Sequence, residues 1–252
     1  MAEPVYYPIT KAMRAMFRVL KIEIDCVGAE NVPRTGGAVF AINHVSFLDF
    51  IFAGYPADEH DRYVRFMAKD VVFKHRVSGP LMRGMKHIPV DRSAGSHAYD
   101  AAVASLRQGE LVGVFPEATM SRSFDLKDFK TGAVRMAAEA GVPLLPEIVF
   151  GAHRMMCYDH KDFSRGQAVS ITLGEPLYPK PADDPEALTA NLRSRMIDML
   201  DATIARYPDR PQSGEAPWWL PARHGGTAPT LAEAAVLEQQ AKERRAAKRS
   251  NG

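Results

Sequence analysis

Two rhythms of apolar and polar positions run along this chain. "KIEIDCV" (21–27) alternates residue by residue, the period of a strand with one buried face. "AVFAIN" (38–43) is an unbroken apolar run closed by one amide, and reads as a buried strand. "YVRFMAK" (63–69), "HIPVD" (87–91), "LVGVF" (111–115), "PLLPEIVF" (143–150) and "AVSITLG" (168–174) extend the set of predicted strands. Helical segments fall between them: 47–55, about 70–84, a helix capped by Ser96 that stops before Gly109, 128–140 closed by Gly141, and 184–206. Strands alternating with helices predict an α/β layered fold, with a mostly parallel or mixed central sheet flanked by helices. Ligands of such sheets sit beyond the strand C-termini.

The two ends carry other patterns. At about 100° per residue, Ile9, Ala12, Met13, Met16, Phe17 and Leu20 share one face of a helix over 8–20, opposite Lys11, Arg14, Arg18 and Lys21. No acid lies between Glu3 and Glu23. Such a helix either packs on its own domain or rests on an anionic membrane surface through residues 8–21. After Pro208 the chain turns rich in Pro and Gly and carries both tryptophans, Trp218 and Trp219. These rings are expected to pack back on the domain or to meet a membrane interface. A charged helix is predicted over 231–250. The resulting division is 1–20 amphipathic docking helix, 21–207 main domain, 208–252 arm and charged C-terminal helix.

Composition narrows the choices only a little. Hydrophobic residues make up 46% of 252 and charged residues 25%, ordinary values for a globular chain. A net charge of +2 names no nucleic acid partner. Cys26 and Cys157 lack metal-site or disulfide-scaffold spacing and read as reduced, cytosolic thiols; no metal site is expected. The most apolar stretch, 36–57, holds Asn43, His44 and Asp49 near its middle. A central Asp costs about 2.5–3.5 kcal/mol on insertion, so no integral span is expected.

Those same polar residues raise the question of chemistry. In "AINHVSFLDF" (41–50), a polar group in an apolar run needs a partner. Ser46-x-x-Asp49 has the form of a capping box, with Ser46 as N-cap and Asp49 in the first helical turn. His44 then lies just ahead of the helix, where Asp49 can turn toward its ring. A carboxylate on one ring nitrogen fixes the tautomer and supports the cation formed at the other, which is a general-base device. The alternative is that Ser46 and Asp49 merely cap. Further polar groups follow strands: Asp91 and Arg92; Glu117, Thr119 and Arg122; and Lys130 near a helix start. They could converge on one mouth.

Taken together, these residues resemble a known family. Asn43-His44-x4-Asp49 is similar to the NHx4D block of the glycerolipid acyltransferases, "HIPVDR" to their second block, "FPEATMS" to F-P-E-G-T-R-S, and "VPLLPEIVF" to Val-Pro-x-x-Pro. The likeness covers about 21–178, and within the family it is to the 1-acyl-sn-glycerol-3-phosphate (lysophosphatidate) acyltransferases. The resemblance implies that His44 is the base and Asp49 its orienting partner. It also implies that Arg92, Glu117, Thr119 and Lys130 serve the acceptor. It implies acyl transfer from acyl-CoA or an acyl carrier protein thioester, with no cofactor, by a peripheral enzyme on the cytoplasmic face of the membrane. Alternative acceptors are glycerol 3-phosphate or another lyso-lipid. A serine lipid hydrolase built on Ser46 and a non-catalytic membrane adaptor are the other classes. Two positions depart from the pattern: the family's Gly is Ala118 and its Arg is Met120. Ala118 is therefore expected to use an ordinary backbone conformation. Arg122, with Arg92 and Lys130, is expected to supply the missing phosphate contact.

Overall fold

The computed structural model describes residues 3–91, 97–211 and 214–250. In chain order the elements are α1 (Tyr6–Val19), β1 (Glu23–Val27), β2 (Ala38–Ile42), α2 (Asp49–Ala53), α3 (Tyr55–Asp58), β3 (Val64–Lys69), α4 (Asp70–Lys74), α5 (Ser78–Gly84), β4 (Ile88–Val90) and α6 (His97–Arg107). There follow β5 (Leu111–Val114), α7 (Gly132–Ala140), β6 (Leu144–Phe150), α8 (Ala152–Met155), the hairpin β7 (Met156–Cys157) and β8 (His160–Lys161), β9 (Ala168–Leu173), α9 (Pro185–Arg206) and α10 (Leu231–Ser250).

The main sheet has seven strands in the order β1-β9-β6-β2-β5-β3-β4. From β6 to β4 all pairs are parallel. β9 joins β6 antiparallel and carries β1 parallel beside it, so the sheet is mixed. β2 and β6, in the middle, are buried along their whole length. Both faces are covered, which explains their continuous apolar sequence. One face packs Leu106 of α6, Val134 and Met136 of α7, and Leu192, Met196 and Leu200 of α9. The other packs Phe17 of α1, Phe52 of α2 and Met155 of α8.

Both ends of the chain are tied to this body. The Tyr6 hydroxyl donates to the Val64 carbonyl at 2.8 Å, Arg14 pairs with Asp58 at 2.5 Å, and Phe17 stacks on Phe52 with centroids 5.1 Å apart. α1 therefore takes its apolar face into the domain and leaves Tyr7, Met16 and Val19 exposed. In the arm, Trp219 is buried against Phe150 and Tyr207, with the Arg154 guanidinium 4.6 Å over its ring. Trp218 covers His160 at 4.0 Å. Both indoles pack back on the domain, because each finds aromatic or cationic partners there.

The helices predicted over 47–55 and 70–84 are each two short ones, α2 with α3 and α4 with α5. Pro56 sits at the start of α3, and His75 after α4 is extended, so neither pair can run as one helix. The helix predicted from 128 begins at Gly132, since the preceding residues run along the loop that Arg193 holds. Gly141 ends it at φ 68°, the left-handed conformation glycine adopts freely. Ser96 and Arg92 lie outside the described residues. Among the described residues no helix is long and apolar enough to cross a membrane.

Candidate active site

β2 and β5 lie side by side and parallel, so the segments that follow them leave at the same end of the sheet. Asn43 decides where β2 stops. Its side-chain carbonyl accepts from Val149 N at 2.7 Å and its amide donates to Val149 O at 3.1 Å, so it continues the β2–β6 ladder with a side chain. The main chain is then free to turn away, and His44 is the first residue of that turn.

His44 Nδ1 lies 2.9 Å from Asp49 Oδ2. The same oxygen accepts from Val45 N and Ser46 N, each at 2.7 Å. An oxygen with those donors is an acceptor, so Nδ1 carries the proton and Nε2 presents its lone pair. Asp49 is fully buried, whereas the His44 side chain is 24% exposed. Burial pushes the Asp49 carboxyl up from its ordinary value, and the His44 ring and two amides pull against it. The ring stacks on Phe115 with centroids 4.2 Å apart.

The expected capping box forms only by half. Asp49 accepts from Ser46 N, as the box requires. The helix nevertheless begins at Asp49, and Ser46 Oγ accepts from Leu48 N rather than capping it. The Ser46 hydroxyl is directed at the carbonyls of Met156 and Ala152, at 2.7 and 3.0 Å, and the residue is completely buried. A hydroxyl so committed is no nucleophile, which removes the physical basis for a serine hydrolase.

The loop after β5 grips the main chain of His44 from both sides. Glu117 Oε1 accepts from His44 N at 2.8 Å, and Ser121 N donates to His44 O at 2.7 Å. Glu117 Oε2 accepts from Lys127 N at 3.0 Å. Glu117 is only 5% exposed, and burial raises its carboxyl to about 7. Its visible work is to hold the His44 segment rather than to face solvent. Thr119 is half-buried and its hydroxyl receives Lys127 Nζ at 2.5 Å. Arg122 stacks on Tyr158, 3.9 Å from the ring centroid, and pairs with Asp159 at 3.0 Å, in the turn of the β7–β8 hairpin. Lys130 is exposed just ahead of α7.

Ala118 departs from the sequence expectation. It sits at φ 60°, the left-handed region, although it carries a Cβ. Phe124, in the same loop, has φ 57°. Such backbone costs about 1–2 kcal/mol per non-glycine residue and persists only where its surroundings over-determine it. Here the clamps are Glu117, Ser121 and, behind Phe124, the rings of His153 and Trp218.

A path of aromatic rings leads from the imidazole to an apolar cavity. Phe115 faces Phe66 at 6.4 Å, and Phe66 faces Phe50 at 6.1 Å. Phe66 fits against β5 because position 113 is glycine; a Cβ there would come within 2.7 Å of the ring. The cavity, about 220 Å³, is lined by Tyr6, Met13, Phe17, Phe50, Tyr55 and His87, among others. It lies between α1 and the body. His87 is kept neutral there, its imidazole lowered to about 4 by burial and by Arg65.

Several contributors carry little signal in the sequence. Asn43 closes an apolar run there, but its two bonds to Val149 depend on the neighbouring strand. Lys127 carries no signal of its own. Glu147 does: it is an acid in the middle of a fully apolar strand. It is completely buried beside the end of β2, and neither carboxyl oxygen has a hydrogen-bond partner; Asp49 Oδ1 is in the same condition. Burial, and next the charge of Asp49, push the Glu147 carboxyl well above its usual range. Among the described residues no cluster of His, Cys, Asp and Glu could hold a metal ion. Burial raises Cys26 to about 12 and Cys157 to about 11, so both thiols stay protonated.

An imidazole with a buried carboxylate on one ring nitrogen, at the C-terminal ends of parallel strands, has the geometry a general base requires on an α/β fold. The chain belongs to the acyltransferase family, whose model matches residues 23–149. It is 29% identical over 150 residues to the 1-acyl-sn-glycerol-3-phosphate acyltransferase of Bacillus subtilis, covering 59% of this chain and 71% of that protein. It is 28% identical over 191 residues to the chloroplastic 1-acyl-sn-glycerol-3-phosphate acyltransferase LPAT1 of Arabidopsis thaliana, covering 74% and 51%. The chain thus spans about half the length of that chloroplast relative. The fold matches the crystal structure of the 1-acyl-sn-glycerophosphate (LPA) acyltransferase PlsC from Thermotoga maritima, with a TM-score of 0.68, 24% identity and 81% of each chain covered.

The strained Ala118 and the buried Glu147 each give a prediction. Ala118→Gly relieves the left-handed strain and should raise stability by about 1 kcal/mol after the extra entropy of glycine, as read by urea denaturation. Glu147 has a folded-state pKa above its unfolded one. Its contribution is therefore full below about 4.5 and is lost as pH rises toward the raised value. Glu147→Gln removes that loss. The difference in thermal midpoint, variant minus wild type, should grow with pH above 4.5; a difference independent of pH would contradict a neutral buried acid.

Proposed function

We propose that this chain transfers an acyl group from a thioester, acyl-CoA or acyl carrier protein, to the free hydroxyl of 1-acyl-sn-glycerol 3-phosphate, forming phosphatidic acid. The observation that carries the reading is the 2.9 Å contact between His44 Nδ1 and Asp49, which leaves Nε2 as a base at the head of an aromatic path to an apolar cavity. The relatives' names support the acceptor.

In this mechanism Nε2 takes the proton as the acceptor oxygen attacks the thioester carbonyl. The C–S bond breaks as the tetrahedral intermediate collapses, and the thiolate recovers the proton from Nε2. Asp49 balances the imidazolium while it exists. An acyl chain occupies the cavity under α1, and the acceptor phosphate meets Arg122 and Lys130 of the loop after β5; Arg92 serves the same phosphate, as the family resemblance implies. The exposed Tyr7, Met16 and Val19 with the basic residues of α1 rest on the cytoplasmic face of a membrane.

The test offers purified protein one labelled palmitoyl thioester and a panel of acceptors, read by mass spectrometry. Lysophosphatidate should be acylated in preference to glycerol 3-phosphate and other lyso-lipids. His44→Ala should lower turnover by about 10²–10⁴-fold while liposome binding is retained. Turnover equal to wild type in that variant would end the general-base assignment.

A further inference from the structure

Met120 occupies the place where the resembling pattern has a cation, and it is buried, 3% exposed. Another positive charge has been brought to the same spot. Lys127 Nζ lies 2.5 Å from Thr119 Oγ1 and 3.4 Å from the Met120 carbonyl, so the ammonium sits over the two residues that should face the acceptor. Its position is over-determined. The Lys127 backbone N–H is held by Glu117, whose other oxygen holds His44 N. Arg193 donates to the carbonyls of Lys127 and Leu126 at 2.8 and 2.9 Å. The main chain that carries this ammonium is thus tied, through one buried carboxylate, to the main chain of His44.

Lys127 already has an anion. Glu238 Oε1 lies 2.9 Å from Nζ and comes from α10, 111 residues away in sequence. Both side chains are largely buried, 18% and 19% exposed. α10 is started by a reciprocal cap, in which Glu233 accepts from Thr230 N and Thr230 Oγ1 accepts from Glu233 N. It touches the body through Ala234, while Leu231, Val236 and Leu237 stay exposed. A lightly seated helix therefore delivers one carboxylate onto the cation at Thr119.

We propose that Lys127 grips the anionic headgroup of the acyl acceptor, and that Glu238 is an internal competitor holding that position until the headgroup arrives. This rests on the acyltransferase reading above. A phosphate monoester carries more charge than a carboxylate and more acceptor oxygens, so it displaces Glu238 from a fixed ammonium. The Thr119 hydroxyl, which now only accepts, can donate to the incoming phosphate. Displacement frees α10 at its Lys127–Glu238 ion pair with the site loop.

The full chain is assayed with palmitoyl-CoA and two acceptors that differ only in the phosphate, 1-palmitoylglycerol 3-phosphate and 1-palmitoylglycerol. Lys127→Ala should raise KM for the phosphate acceptor by about tenfold and leave KM for the uncharged one within about twofold. Lys127→Arg should restore most of the loss. Glu238→Gln should lower KM for the phosphate acceptor by about threefold, an effect that vanishes in the double variant. Equal KM changes for both acceptors, an unchanged KM in Glu238→Gln, or a phosphate-selective loss in Arg122→Ala but not in Lys127→Ala would overturn the proposal. A wild-type chain that acylates neither acceptor refutes the acyltransferase reading instead. Calorimetric titration with glycerol 3-phosphate then decides: affinity weakened by Lys127→Ala and strengthened by Glu238→Gln supports the headgroup site, and equal affinity in all three proteins rejects it.

Discussion

A single carboxylate oxygen organises the centre of this molecule. Asp49 Oδ2 gathers the N–H groups of Val45 and Ser46 and the Nδ1–H of His44. The two amides belong to a turn that no ladder satisfies, because β2 has ended and α2 has not begun. The ring is the base of the proposed reaction. One buried charge thus closes the turn and orients the base, and neither task can be removed without the other. Around a fully buried carboxylate such charge-assisted bonds are stronger than at a surface, and an orphaned donor is correspondingly costly. The orientation of His44 is therefore a property of the fold as much as of the pair.

Glu117 repeats the device from the neighbouring strand. Its two oxygens take one amide from the His44 segment and one from Lys127, so the loops after β2 and β5 are sewn together by side-chain oxygens. This construction tolerates unfavourable backbone. Ala118 and Phe124 both hold left-handed conformations inside the loop. Behind it the C-terminal arm lays Trp218 on Phe124 and pairs Arg223 with Asp125 at 2.6 Å. Strain near the chemistry is thereby held by packing farther out, the usual division between a stable body and a shaped site.

The ends of the chain illustrate what periodicity can and cannot settle. The helical stripe over 8–20 was legible, and so was its basic flank. Periodicity alone did not say which surface would cover the stripe. Tyr6, Met13 and Phe17 turn inward because the body offers Val64, Phe52 and a groove between α2 and α3. The arm is similar: two adjacent tryptophans announced a packing surface, and Arg154 and Tyr207 chose the place where Trp219 is buried, His160 the ring that the more exposed Trp218 covers.

From the sequence alone came the alternation of strands and helices, the covered central strands, and the approach of Asp49 to the His44 ring. These follow from local rules, since periodicity, caps and five-residue spacing are all written in neighbouring positions. Tertiary structure decided the rest. It reversed β9 and β1 against the other strands, put a Cβ at φ 60° in Ala118, set Glu117 on two backbone amides, and left Glu147 buried without a partner. It also carried Glu238 to Lys127 across 111 residues. Each of these depends on which distant segments come to lie side by side, and the balance of burial against hydrogen bonding at a contact exists only once both partners are in place.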